Sequence, residues 1–128
     1  MNRSTPTAIH LHKASRKLEI RFADGQAFML DAEYLRVHSP SAEVRGHGVG
    51  QEVLVFGKKA VGINTLEPVG QYAVKIVFDD GHDSGLYTWQ YLYELGCEYE
   101  QKWQAYLLRL QQAGQSREPV PEPLFKPL

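Results

Sequence analysis

Five histidines, His10, His12, His38, His47 and His82, hold most of the chemical capacity of this 128-residue chain. Imidazole changes charge near neutral pH and is also the commonest metal ligand. His10 and His12 lie two apart and alternate with Ile9 and Leu11, so they project from one face of a strand. Such a pair can chelate a metal, but exposed strand residues give the same spacing. His38, His47 and His82 fall in loops, where functional groups concentrate. His82 sits in Asp79-Asp80-Gly81-His82-Asp83-Ser84-Gly85, with Asp80 and Asp83 able to add oxygen ligands. Two imidazoles and a carboxylate suit non-haem iron. The structural alternative is that a ring N–H on a carboxylate pins a turn, because turns select Asp, Gly and Ser in any case.

Other chemistry-bearing residues give weaker signals. Cys97, the single cysteine, excludes an internal disulfide framework and a cysteine-based zinc site. Its place at a helix junction fits a small packed residue better than a reactive thiolate. Ser39, Ser41 and Ser84 have no Gly-x-Ser-x-Gly elbow around them. Gly46-His47-Gly48-Val49-Gly50 lacks the Gly-Lys-Ser/Thr ending of a phosphate loop. The aromatic set Trp89, Tyr91, Tyr93, Tyr99, Trp103 and Tyr106 reads mostly as helix core with an amphipathic rim. Trp103 and Tyr106 are also candidate protein contacts, since Trp and Tyr dominate interface hot spots.

The elements that must position these residues are legible from periodicity. Ile9 and Leu11, then Leu18, Ile20 and Phe22, alternate as half-buried strands do, and Asp24-Gly25 marks a hairpin before Phe28 and Leu30. Asp31 is placed to cap a short helical turn over 32–37, and Pro40 should interrupt any longer helix. Strands are expected at 53–56, at 61–66, at 72–78 and at 84–87. Thr88 is a candidate N-cap for a helix over 89–95 that Gly96 ends. A second helix over 98–113 carries Tyr99, Trp103, Tyr106, Leu107 and Leu110 at spacings of three and four, with Gly114 closing it. The expected fold class is α+β: a largely antiparallel sheet, a short helical turn after the first hairpin, and two C-terminal helices. The expected division is a flexible N-terminus over 1–7, one domain over 8–114, and a disordered tail over 115–128 rich in proline.

Composition bounds the function. Fourteen Lys and Arg balance 15 Asp and Glu for a net charge of −1, which argues against a nucleic-acid binder. Apolar runs are too short to span a bilayer, and the first residues lack a signal peptide's apolar segment, so a cytoplasmic protein is expected. With 43% hydrophobic residues the chain can bury a core without disulfides or metal.

Three segments are distinctive in combination: Leu35-Arg36-Val37-His38-Ser39-Pro40-Ser41-Ala42-Glu43-Val44, Leu66-Glu67-Pro68-Val69-Gly70-Gln71-Tyr72-Ala73 and Phe78-Asp79-Asp80-Gly81-His82-Asp83-Ser84-Gly85-Leu86-Tyr87-Thr88-Trp89. Over about residues 8 to 113 the chain resembles the domain of unknown function 971 family, bacterial stand-alone relatives of the N-terminal domain of gamma-butyrobetaine hydroxylase. The resemblance implies a small α+β domain. In the hydroxylases this domain holds a structural zinc through three cysteines and a distal histidine. On this chain those positions fall on Ser39, Ser41, Val44 and His82, so all three thiolates are absent. Neutral hydroxyls are poor zinc ligands and valine is none, so the site is expected to be lost, its loop held by hydrogen bonds and packing instead. The hydroxylases' catalytic domain is also expected to be absent, as 128 residues leave no room for it. The same domain type resembles a segment appended to P-loop ATPases of iron–sulfur cluster assembly. Together these imply a non-catalytic accessory module that binds another protein and is linked to iron or iron–sulfur proteins. No cofactor is expected. The alternative is an iron- or zinc-binding protein using His82, with His38, His47, Asp80 and Asp83 as further ligands.

Overall fold

The computed structural model describes residues 5–46 and 52–120. Its elements run β1 (Pro6–His12), β2 (Lys17–Phe22), β3 (Ala27–Asp31), α1 (Ala32–Val37), α2 (Ala42–Arg45), β4 (Ile63–Val69), β5 (Ala73–Phe78), β6 (Leu86–Thr88), α3 (Trp89–Cys97) and α4 (Tyr99–Ala113). The strands form two antiparallel three-stranded sheets, ordered β1-β2-β3 and β4-β5-β6, so the expected sheet is split in two. The α+β class holds.

Alternation decides which side chains enter the core. Leu18, Ile20 and Phe22 from β2 are buried with Leu30 of β3 and Ile76 and Phe78 of β5. Tyr34 and Leu35 of α1, Tyr87 of β6, and Leu92 and Leu95 of α3 join the same cluster. The first hairpin turns at Asp24-Gly25: Gly25 takes φ 92°, and the Asp24 carboxylate accepts from the Gln26 amide at 2.9 Å. Thr88 caps α3 by accepting from the Tyr91 amide at 3.0 Å. Gly114, in the left-handed region, closes α4.

Three expectations need correction. Residues 53–56 are not a strand. The Val53 amide donates to Val44 O, and Val55 O accepts from the Tyr106 hydroxyl, so these backbone groups are satisfied without a ladder. Asp31 sits at the N-cap of α1, but its carboxylate goes to Lys17 and to the Tyr99 hydroxyl rather than to helix amides. Gly96 does not end α3 but lies inside it. A Cβ there would stand 2.4 Å from Phe28 Cγ, so glycine is required by packing rather than by a turn. Residues 116 and 117 bond to the domain. Ser116 O and Arg117 O accept from the Gly57 and Lys59 amides, each at 2.9 Å. At the other end the Ala23 amide bonds Thr5 O and β1 starts at Pro6. Residues 121–128 lie outside the described residues.

Candidate functional site

The site is the junction between the α1–α2 link and the β5–β6 turn. α1 stops at Val37 because Pro40 follows, and α2 restarts from Ser41. The link between them therefore turns Ser39 and Ser41 inward, and both are buried. Across from them, the 79–82 turn depends on Gly81 at φ 90° and on Asp80 Oδ1, which accepts from the His82 amide at 3.1 Å. This geometry projects His82 inward, where it is 6% exposed.

The two segments meet in one hydrogen-bonded knot. His82 Nε2 lies 2.8 Å from Ser39 Oγ and 3.4 Å from Ser41 Oγ. His82 Nδ1 lies 3.2 Å from Glu43 Oε2. Ser39 Oγ also accepts from the Ser41 amide at 3.3 Å. One protonation pattern satisfies every atom: Nδ1–H donates to Glu43, and the Ser39 hydroxyl donates to an unprotonated Nε2. Burial, aided by the nearby Arg36 charge, pushes the His82 pKa below its ordinary value, which favours that neutral ring.

Carboxylate, imidazole and hydroxyl stand here in the order of a hydrolase relay. The nucleophile position is nevertheless tightly packed. Ser39 is 1% exposed, and its Oγ would be only 2.5 Å from a Cβ on Gly85. Ser39 also contributes to the lining of the neighbouring cavity. The knot's evident work is to tie the link to the turn.

Asp80 anchors the same turn from outside. Its Oδ2 accepts from Arg36 Nε at 2.8 Å and from Lys58 Nζ at 2.7 Å. Burial alone would raise the Asp80 pKa, but hydrogen bonds from Lys58, the His82 amide and Arg36 outweigh it and hold the carboxyl below the ordinary range. Asp83 is exposed. His38 does not join His82: its Nδ1 bonds Tyr34 O at 2.9 Å, and its ring packs on Tyr34 and Tyr106. His47 lies outside the described residues. His10 and His12 do share a face, with His12 Nε2 on Glu19 Oε1 at 2.9 Å. Cys97 is exposed. Tyr106 is buried and Trp103 half-buried against Tyr34, so the two candidate contact residues pack within the domain. The residues missed from sequence are Glu43, which pairs with His82, and Arg36, which pairs with Asp80. Both stand in the distinctive 35–44 segment, but nothing local marks them as facing a residue some forty positions away.

The chemistry of this donor set does not fit the zinc of the hydroxylases. Two neutral hydroxyls and one imidazole surround the position, their lone pairs and protons already paired with one another, and Val44 offers only methyl groups. Among the described residues no three His, Cys, Asp or Glu side chains form a group able to hold a metal ion.

Val44 instead points toward a cavity of about 470 Å³ beside the knot. Val37, Val44 and Val53 supply its apolar lining, and Arg45, Glu52, Tyr91 and Arg109 supply polar edges. Arg45 stacks on Tyr91, its guanidinium carbon 4.9 Å from the ring centroid, and the Tyr91 hydroxyl donates to His38 O at 2.6 Å.

Two small antiparallel sheets, two short helices between them in sequence and two C-terminal helices define an α+β domain. Residues 9–93 match the gamma-butyrobetaine hydroxylase-like N-terminal family, and the chain belongs to that family. An NMR solution structure of a protein 52% identical covers 99% of this chain and 100% of its own, with a TM-score of 0.81. A second NMR solution structure, also 52% identical, covers 97% of this chain and 92% of its own at a TM-score of 0.77. A crystal structure from Acidithiobacillus ferrooxidans ATCC 23270, of a protein with unknown function in the DUF971 family, is 38% identical. It covers 73% of this chain and 94% of its own, with a TM-score of 0.63. No curated protein matches the chain.

Proposed function

We propose that this chain is a non-catalytic accessory domain that acts in the cytoplasm by binding another protein, and that the partner is an iron or iron–sulfur protein. The observation that carries this reading is the contrast at the site. The Ser39 and His82 side chains are buried and paired with each other in the knot, while a cavity with a partly apolar lining, to which Ser39 contributes, lies beside it. Binding sites are typically concave and mostly apolar, with a few placed polar groups. The valines suit an apolar side chain of the partner, and Arg45 and Arg109, two positive charges against the one carboxylate of Glu52, favour acidic residues around it. The near-neutral net charge of −1 argues against nucleic acid, and no helix among the described residues is long and apolar enough to cross a membrane. The link to iron rests on the company that this domain type keeps in larger proteins.

The test is comparative capture from the native host with wild type and with the Arg45→Glu, Arg109→Glu double variant. Both arginines are exposed, so the variant should keep its thermal midpoint. A partner recovered by wild type and lost by the folded variant supports the reading. Equal recovery by both removes the cavity from it.

A further inference from the structure

On another face, the C-terminal segment lies in a groove between residues 57–59, α1 and α4. Gly57 and Lys59 donate their amides to Ser116 O and Arg117 O. The side chain of Arg117 then enters a small polar pocket. Its Nε donates to Glu33 Oε2 at 2.9 Å and its Nη2 to Glu33 Oε1 at 2.7 Å, the two-pronged match of guanidinium and carboxylate. Its guanidinium carbon stands 5.1 Å from the Trp103 ring centroid. Glu33 is the informative partner: with Arg117 in place its side chain is only 7% exposed, so the carboxylate lies under the guanidinium that neutralises it. Gly57 keeps the groove open, since a Cβ there would press on Glu118 O at 3.3 Å.

We propose that this groove is an arginine-reading peptide site, and that residues 116–118 occupy it as a built-in competitor. The ligand it fits is an extended segment of a partner protein that presents backbone carbonyls to Gly57 and Lys59 and an arginine to Glu33 and Trp103. The chain's own Ser116-Arg117-Glu118 displays that chemistry. A lysine does not reproduce it, because a point charge cannot make both parallel hydrogen bonds or stack flat on the indole. The cis segment is joined to α4 only through Gly114 and Gln115, so its effective concentration is high, of order millimolar for so short a tether. A weak trans peptide is therefore excluded until Arg117 leaves. This site is independent of the cavity beside the His82 knot.

The experiment titrates the peptide acetyl-Gln-Ser-Arg-Glu-Pro-amide into full-length Arg117→Ala and into wild type, following the Trp103 indole N–H and the Gly57 amide by NMR. Saturable binding to Arg117→Ala, at least about tenfold tighter than to wild type and lost when the peptide arginine becomes lysine, is the expected result. A folded Arg117→Ala that shows no saturable shift at either reporter overturns the proposal and leaves Arg117 as a stabilising ion pair only. Equal binding to both proteins overturns the competitor role. Should Arg117→Ala not fold, Arg117→Lys, which keeps the charge without the fork, takes its place under the same criteria.

Discussion

Replacing Ser39 with alanine tests whether the knot stands in for a metal as a structural tie. The side chain is 1% exposed and its oxygen serves two neighbours, His82 Nε2 at 2.8 Å and the Ser41 amide at 3.3 Å. Removing it leaves a buried acceptor and a buried donor without their best partners, at about 1–3 kcal/mol for such a group. Ser41 Oγ, 3.4 Å from the same nitrogen, can recover part of the loss, so about 2–3 kcal/mol is expected for the substitution as a whole. For a domain of this size each kcal/mol shifts the midpoint by about 3–6 °C, giving a fall of about 10 °C. Ser41→Ala removes only the longer contact and should cost under about 1 kcal/mol. Thermal and urea unfolding measure both. NMR titration adds a signature that simple loosening would not produce. The Ser39 hydroxyl stabilises the unprotonated Nε2, so the His82 pKa should rise when it is lost. An unchanged midpoint for Ser39→Ala, or a larger loss for Ser41→Ala, would refute the assignment of the knot.

Three further outcomes follow from the same geometry. Burial lowers the pKa of both His82 and His38 in the fold. The unfolded chain therefore takes up protons first as pH falls below about 6.5, and stability present above that pH should decline through the next unit or so. His82→Gln should flatten part of that slope between pH 7 and 5.5, and an unaltered slope would assign it elsewhere. EDTA should leave the wild-type midpoint in place. A Ser39→Cys, Ser41→Cys, Val44→Cys variant, which adds three thiolates around His82, should bind zinc and become EDTA-sensitive, as elemental analysis and melting would show. Gly96→Ala should destabilise by about 1–3 kcal/mol, because its methyl would meet Phe28. Helix propensity alone predicts a gain of about 1 kcal/mol, so the sign of the measured change decides between packing and propensity.

What could be read along the chain is what depends on near neighbours. The β2–β3 hairpin, the Thr88 cap and the Gly114 stop rest on a few adjacent residues whose types restrict φ or supply a capping oxygen, and these the sequence by itself determined. It also determined that Ser39, Ser41 and Val44 present no thiolate, since ligand chemistry belongs to the residue type. Only the tertiary structure decided that Glu43 takes the far nitrogen of His82, that Asp80 is shared by Arg36 and Lys58, and that Arg117 ends in a pocket on Glu33. Those pairings join residues about 20 to 84 positions apart, and no periodicity or turn signal extends so far. The same limit explains residues 53–56 and Gly96. An apolar run becomes a strand only if another strand offers its edge, and a glycine reads as a helix stop until a ring from the opposite hairpin is found against it.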